Sequence, residues 1–217
     1  MEGKIRKREG EKMIRNVVFD FGQVMVHFDP HYMVTRYLPE GEDATLLEEV
    51  VFDRLYWDRL DDGSITDDAL KAAVCARLPA RLHELAIRIY DNWIYNLPEV
   101  EGMRSLAEAL RRDFGVHLYL LSNIGVYFAE HASEIPVLSV FDRCFFSAVV
   151  GRVKPSADIF ALLCEQTGAK PEETVFIDDN EKNIRGAREF GIVGYLFDGD
   201  ADALRAYLYG LLTKNEE

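Results

Sequence analysis

Val17-Val18-Phe19-Asp20-Phe21-Gly22-Gln23-Val24-Met25-Val26 is the stretch whose reading decides the fold. An apolar, largely β-branched run is broken by one carboxylate, a glycine follows two places later, and the apolar run resumes. Residues Asn16 to Phe19 show no alternation with polar residues, which predicts a strand buried on both faces. Asp20 then stands at the C-terminal end of that strand, where Gly22 is expected to let the backbone turn sharply. Ligands of open α/β sheets bind beyond the carboxyl ends of the strands, so an acid there is a candidate for chemistry. Taken alone it reads equally well as a turn or helix-capping residue.

Other strands end in the same way. A second strand is expected over Val116 to Leu121 and is followed by Ser122-Asn123. A third, over Arg143 to Val150, leads into Gly151-Arg152-Val153-Lys154-Pro155. A fourth, Thr174 to Ile177, runs into Asp178-Asp179-Asn180, and Ile192 to Phe197 makes a fifth. Between them lie helical patterns: Gly102 to Phe114, Val126 to Ser133, Pro155 to Thr167, Glu181 to Phe190 and Asp200 to Leu212. Gly115, Gly168 and Gly191 stand where helix-terminating glycines belong. Alternating strands and helices imply an α/β fold, with a mainly parallel sheet covered on both faces through right-handed crossovers.

About 100 residues separate Asp20 from Ser122, on the order of 70 more than a strand–helix–strand unit requires. From Pro30 to about Pro98 the chain reads as helix throughout, over Leu46 to Leu60, Thr66 to Arg77 (with Thr66 as N-cap) and Ala80 to Tyr95. The surplus is expected to be an inserted all-helical cap that closes over the strand ends, excludes water and selects the substrate. The domain reading is therefore a core of residues 13–29 and 99–217, a cap of residues 30–98, and a mixed-charge, flexible extension of residues 1–12.

Composition narrows the partners. A chain of 217 residues, 48% hydrophobic, is long enough for one core plus an extra module. A net charge of −13 argues against nucleic acid and against a membrane surface. Cys75, Cys144 and Cys164 have no paired spacing and read as buried free thiols of a reducing compartment. No apolar run approaches the ~20 residues of a membrane span, and the N-terminus lacks the apolar segment of a signal peptide. The expected location is cytoplasmic, and the expected state a monomer or weak homo-oligomer.

In a parallel sheet the strand ends share one edge, so Asp20, Ser122, Lys154, Asp178 and Asp179 converge on one crevice. That set suits phosphoryl transfer. Asp20 is the candidate nucleophile, because a carboxylate can form an acyl phosphate that water then cleaves. The acids offer oxygen ligands for Mg²⁺. Lys154 adds a positive charge, and Ser122 with neighbouring amides can donate to phosphoryl oxygens.

Val17 to Val24, Leu120-Leu121-Ser122-Asn123, Gly151 to Pro155 and Val175 to Asn180 resemble, in order, the four motifs of the haloacid dehalogenase-like (HAD) hydrolase superfamily. The helical insertion is similar to that superfamily's α-helical cap. The resemblance covers the chain from Met13 onward and implies a Rossmann-like core and an Mg²⁺-dependent phosphatase acting on a small phosphorylated metabolite. By the family pattern, Asp20, Ser122 and Lys154 are catalytic, and Ser122, Asn123 and Lys154 bind the phosphate. Mg²⁺ is held by Asp20, the Gly22 carbonyl and Asp179, with Asp178 acting through water or from behind.

Gly22 departs from the family pattern, which places a second, acid–base Asp there. The Asp-aromatic-Gly-Gln-Val run and the turn from Gly63 to Asp68 resemble a bacterial subgroup that includes α-glucose 1-phosphate phosphatases. A low-pKa leaving group would need less acid help, which favours sugar 1-phosphates over alkyl phosphates. Asp29 is a candidate stand-in for the missing acid. A 2-haloacid dehalogenase using Asp20 is the competing hydrolase, disfavoured by the acid pair because its chemistry needs no metal. A phosphate-binding regulatory protein with little turnover is the third reading, kept alive by Gly22. His27, His31, His83, His117 and His131 lack metal spacing and read as packed or solvated. Tyr56 and Trp57 read as core or pocket wall, and Arg152 as phosphate contact or exposed.

Overall fold

The computed structural model describes residues 13–213, and the expected N-terminal extension lies outside them. Five parallel strands form the sheet: β1 (Asn16–Phe19), β2 (His117–Ser122), β3 (Arg143–Phe146), β4 (Thr174–Asp178) and β5 (Val193–Leu196), in the order β3-β2-β1-β4-β5. β1 is central and registers Phe19 against Leu120 on one side and Ile177 on the other. The chain winds from β1 outward through β2 and β3, then returns to β4 and β5. The winding reverses beside β1, which places a crevice at the end of that strand.

The expected burial on both faces holds. Val17 and Phe19 belong to one apolar core, and Val18, between them, to another. Each such side chain contributes about 1.5–3 kcal/mol by leaving water. Between β1 and β2 run α1 (Pro30–Thr35), α2 (Glu42–Val51), α3 (Arg54–Asp61), α4 (Asp67–Arg77) and α5 (His83–Asn92), with no strand among the described residues of the segment. Their buried side chains share the first core with α6 (Met103–Phe114) and α11 (Ala201–Thr213). The second core lies under α9 (Ala157–Thr167) and α10 (Glu181–Phe190). Short helices α7 (Val126–Glu130) and α8 (Ser147–Val150) follow β2 and β3.

Local propensity is overruled at two places. The apolar run 143–150 is not one strand: β3 stops at Phe146 and the chain coils into α8, because the buried Ser147 hydroxyl is taken by the Ile124 amide at 2.8 Å. Residues 46–60 are not one helix either. Asp53 caps the Leu55 amide at 2.9 Å and pairs with Arg77 at 2.7 Å, which starts α3 in a new direction. The three cysteines are half-buried rather than buried. Thr66 caps α4 as expected, accepting from the Ala69 amide at 3.2 Å. No helix among the described residues is long and apolar enough to cross a membrane.

Candidate active site at the strand ends

Three strand ends and one loop meet at a cavity of about 270 Å³. Asp20 follows β1, with its amide held by the Ile177 carbonyl at 2.8 Å and its Oδ1 accepting from the Phe21 amide at 2.7 Å. Lys154 lies on the loop after α8. Its Nζ is 2.7 Å from Asp20 Oδ1 and 2.7 Å from Asp178 Oδ2, with the lysine side chain 1% exposed. Asp178 also accepts from the Asn180 amide at 2.8 Å and from Asn183 Nδ2 at 3.1 and 3.0 Å, so both of its oxygens are occupied. Asp179 faces the cavity from its exposed lip, and Ser122 sits buried on its floor.

The Lys154 loop is seated by two contacts that the sequence did not announce. Asn123 engages it with both ends of its side-chain amide, accepting from the Lys154 amide at 2.8 Å and donating to the Lys154 carbonyl at 3.0 Å. Asn123 therefore lines the cavity while its amide positions Lys154. Gly186 on α10 makes the second contact: a Cβ there would lie 2.4 Å from the Pro155 carbonyl oxygen, so only glycine admits the loop this close.

Gly22 does not make the sharp turn. The left-handed residue is Gln23 (φ 57°), whose Nε2 donates to the Phe28 carbonyl at 2.9 Å. A Cβ on Gly22 would meet nothing nearer than Phe28 Cβ at 4.0 Å. Backbone geometry thus gives no reason for a glycine at 22, where a side chain would stand at the cavity wall.

Electrostatics make the acids unusual. Burial pushes the Asp20 carboxyl up from its ordinary range, Lys154 pulls it back, and Asp178 pushes it up again. Burial works against the Lys154 charge, yet Asp20 and Asp178 hold that ammonium above its usual value. Asp179 is raised by burial and then by Asp178. Asp20, Asp178 and Asp179 offer oxygens that all lie within 4.8 Å of one another. Three carboxylates against one ammonium leave two negative charges, and hard oxygen donors with that surplus fit a divalent cation.

The far wall comes largely from the helical insertion, with Phe28 just before it. Phe28, Trp57 and Trp93 line it, with ring centroids 5.1 Å apart for Phe28–Trp57 and for Trp57–Trp93. Trp57 is both core and wall: it is buried, and its Nε1 donates to the Val51 carbonyl at 2.7 Å. Tyr56 is turned away, with Arg77 over its ring. Asp29 is not in the site, because its carboxylate caps α1 through the Tyr32 amide at 3.1 Å. Arg152 lies outside the cavity, 3.4 Å from the Asp158 carbonyl. The histidines lie outside the cavity lining: His83 meets the Leu78 carbonyl, His131 the Tyr127 carbonyl, His31 the Glu48 carboxylate and His117 the Asp142 carboxylate. Arg54 and Asp61 of α3 complete the wall, and the sequence reading passed over both.

Relatives show the same architecture. The chain is 28% identical over 202 residues to a D-ribitol-5-phosphate phosphatase of Bacteroides thetaiotaomicron, covering 88% of this chain and 95% of that one. A HAD family enzyme of Bacteroides thetaiotaomicron, solved with magnesium and inorganic phosphate, superposes with a TM-score of 0.63 at 21% identity, over 88% of this chain and 98% of that one. A dehalogenase solved with an intermediate complex gives a TM-score of 0.70 at 19% identity, over 94% and 99% of the two chains. The model of the haloacid dehalogenase-like hydrolases matches residues 14–191, and the chain belongs to that family.

Proposed function

We propose that this hydrolase is an Mg²⁺-dependent phosphatase of a small phosphorylated metabolite, a sugar or sugar-alcohol phosphate, working through an aspartyl-phosphate on Asp20. The observation that carries the reading is the clamp of Lys154 between Asp20 and Asp178 at 2.7 Å each, with Asp179 beside them and two negative charges left over. Asp20, Asp179 and the Gly22 carbonyl would hold the metal. Bound there, it would neutralise phosphate charge and orient the phosphoryl group.

The chain's own residues then divide the work. Lys154 fixes the Asp20 carboxylate, leaving its second oxygen to attack phosphorus. Asp178, fully hydrogen-bonded and buried, anchors Lys154 from behind the cavity. The Ser122 hydroxyl and the amides at the end of β2 donate to phosphoryl oxygens. The aromatic wall excludes water, which strengthens each of these charges. The relative named for D-ribitol 5-phosphate supports a polyol or sugar phosphate, and a cavity of about 270 Å³ suits a substrate of that size.

The test is phosphate release from a panel of sugar 1-, 5- and 6-phosphates and sugar-alcohol phosphates, with Mg²⁺, with a chelator, and with Asp20→Asn. Release that needs both metal and Asp20 is expected. Chloride release from a 2-haloacid in the chelator arm would establish the dehalogenase instead, and phosphate-analogue binding without turnover the regulatory protein.

A further inference from the structure

Hydrolysis through an aspartyl-phosphate needs a proton at the leaving oxygen and, later, a base for water. The titratable side chains facing the cavity are Asp20, Asp179, Lys154, Arg54 and Asp61. Asp20 is the nucleophile, Lys154 is locked between two carboxylates, and Asp179 belongs to the acid cluster. Arg54 pairs with Asp58, and a guanidinium does not release its proton at working pH. Asp61 remains.

We propose that Asp61 of α3 is the general acid–base of this hydrolase, delivered across the cavity from the helical insertion. The inference rests on the phosphatase reading. Two further observations support it. The Asp61 backbone carbonyl accepts from the buried Ser147 hydroxyl, which in turn accepts from the Ile124 amide at 2.8 Å, two residues beyond Ser122. The acid is thereby tied to the loop that meets the phosphate. Its carboxylate makes no hydrogen bond or ion pair among the described residues, and it stands in the last turn of α3, against the helix dipole. Stability gives no reason for an acid there.

Its environment suits proton transfer. Burial pushes the Asp61 carboxyl up to about 7; Arg54 pulls it down, Asp58 and Asp20 push it up, and Lys154 pulls it down. In the first step an Asp20 oxygen bonds to phosphorus as the ester P–O bond breaks, and the departing oxygen takes the Asp61 proton to leave as an alcohol. In the second, water bonds to phosphorus while giving a proton to the Asp61 carboxylate. The bond from phosphorus to Asp20 then breaks, returning the carboxylate and releasing phosphate.

The experiment compares wild type, Asp61→Asn and Asp61→Ala on a sugar-alcohol phosphate and on p-nitrophenyl phosphate, with Mg²⁺. Loss of a general acid costs about 10²–10⁴-fold, and that loss in kcat is expected on the sugar-alcohol ester. On the aryl ester, whose leaving group needs no proton, the variants should give a normal first-turnover burst followed by slow turnover. The Asp61→Asn variant should melt at the wild-type temperature or higher at pH 8, because it removes a half-buried charge whose folded-state carboxyl is raised. A first-turnover loss equal on both esters, or activity within threefold of wild type, overturns the assignment. A wild type inert on both esters, or an Asp20→Asn variant still active, overturns the phosphatase reading and this inference with it.

Discussion

Replacing Lys154 by methionine isolates the charge that holds the strand ends together. The lysine side chain is 1% exposed and lies between Asp20, 13% exposed, and Asp178, 0% exposed, at 2.7 Å from each. Methionine keeps most of the aliphatic stem but removes the ammonium, which also lies 5.3 Å from the Phe176 ring centroid, so the change is chiefly electrostatic. Removing one partner of a buried ion pair costs about 3–5 kcal/mol, because the other charge is left unpaired. At about 2–4 °C per kcal/mol for a chain of this size, Tm should fall by about 6–20 °C at pH 8 without a divalent ion. The sign of the pH dependence follows from Asp20. Its carboxyl is already raised by burial and held back by Lys154, so without the lysine it rises further. A folded-state value above the unfolded one means that the folded chain holds a proton the unfolded chain releases. The lost stability therefore returns as pH falls through the raised value toward 3.8. Mg²⁺ should also restore part of it, by binding only the folded cluster. Thermal melts at pH 5.5 and 8, with and without Mg²⁺, measure all three effects. A Tm within about 2 °C of wild type, or a loss indifferent to both pH and Mg²⁺, refutes the reasoning.

Gly186→Ala places a methyl 2.4 Å from the Pro155 carbonyl oxygen, so the Lys154 loop must move. Overpacking of this kind costs about 1–3 kcal/mol, and kcat should fall at least about tenfold through displacement of Lys154; a wild-type kcat would show that the close approach is unimportant. Gly22→Ala tests the opposite case. With no left-handed φ and no contact nearer than 4.0 Å, Tm should stay within about 2 °C of wild type while KM rises from crowding of the cavity, and a collapsed Tm would show a backbone demand at this position.

The sheet and the gathering of acids at its strand ends were legible because their signals are local. An unbroken apolar strand, a carboxylate at its end and a terminating glycine are each written within a few residues. What escaped the sequence is long-range. Gly186 sits mid-helix, and its reason is a backbone oxygen on another element 31 positions away. Ser147 lies in a run that reads as strand, and its hydroxyl joins Asp61 to Ile124. Asn123 stands after β2, and its bonds to the Lys154 backbone reach a partner 31 positions away that no local signal announces. The turn after Asp20 misled for a related reason. Propensity assigns left-handed backbone to glycine, whereas Gln23 holds it here through its bond to the Phe28 carbonyl.

The two walls of the cavity explain each other. On the sheet side, three carboxylates and one lysine leave a surplus of two negative charges, which repels a phosphate dianion. On the proposed reading, a cation bound to that wall would cancel the surplus and favour phosphate binding. On the opposite side, the aromatic wall belongs to the same apolar core as Val17 and Phe19 of β1. Its rings are packed into the fold rather than hung from a loose hinge, with Trp93 stacked on Phe128 at 5.6 Å. Water kept out by that wall would otherwise screen both the Lys154 clamp and the charge on Asp61. The dry wall is therefore a condition for the charged one. Asp61, half-buried and raised to about 7, stands where the two meet.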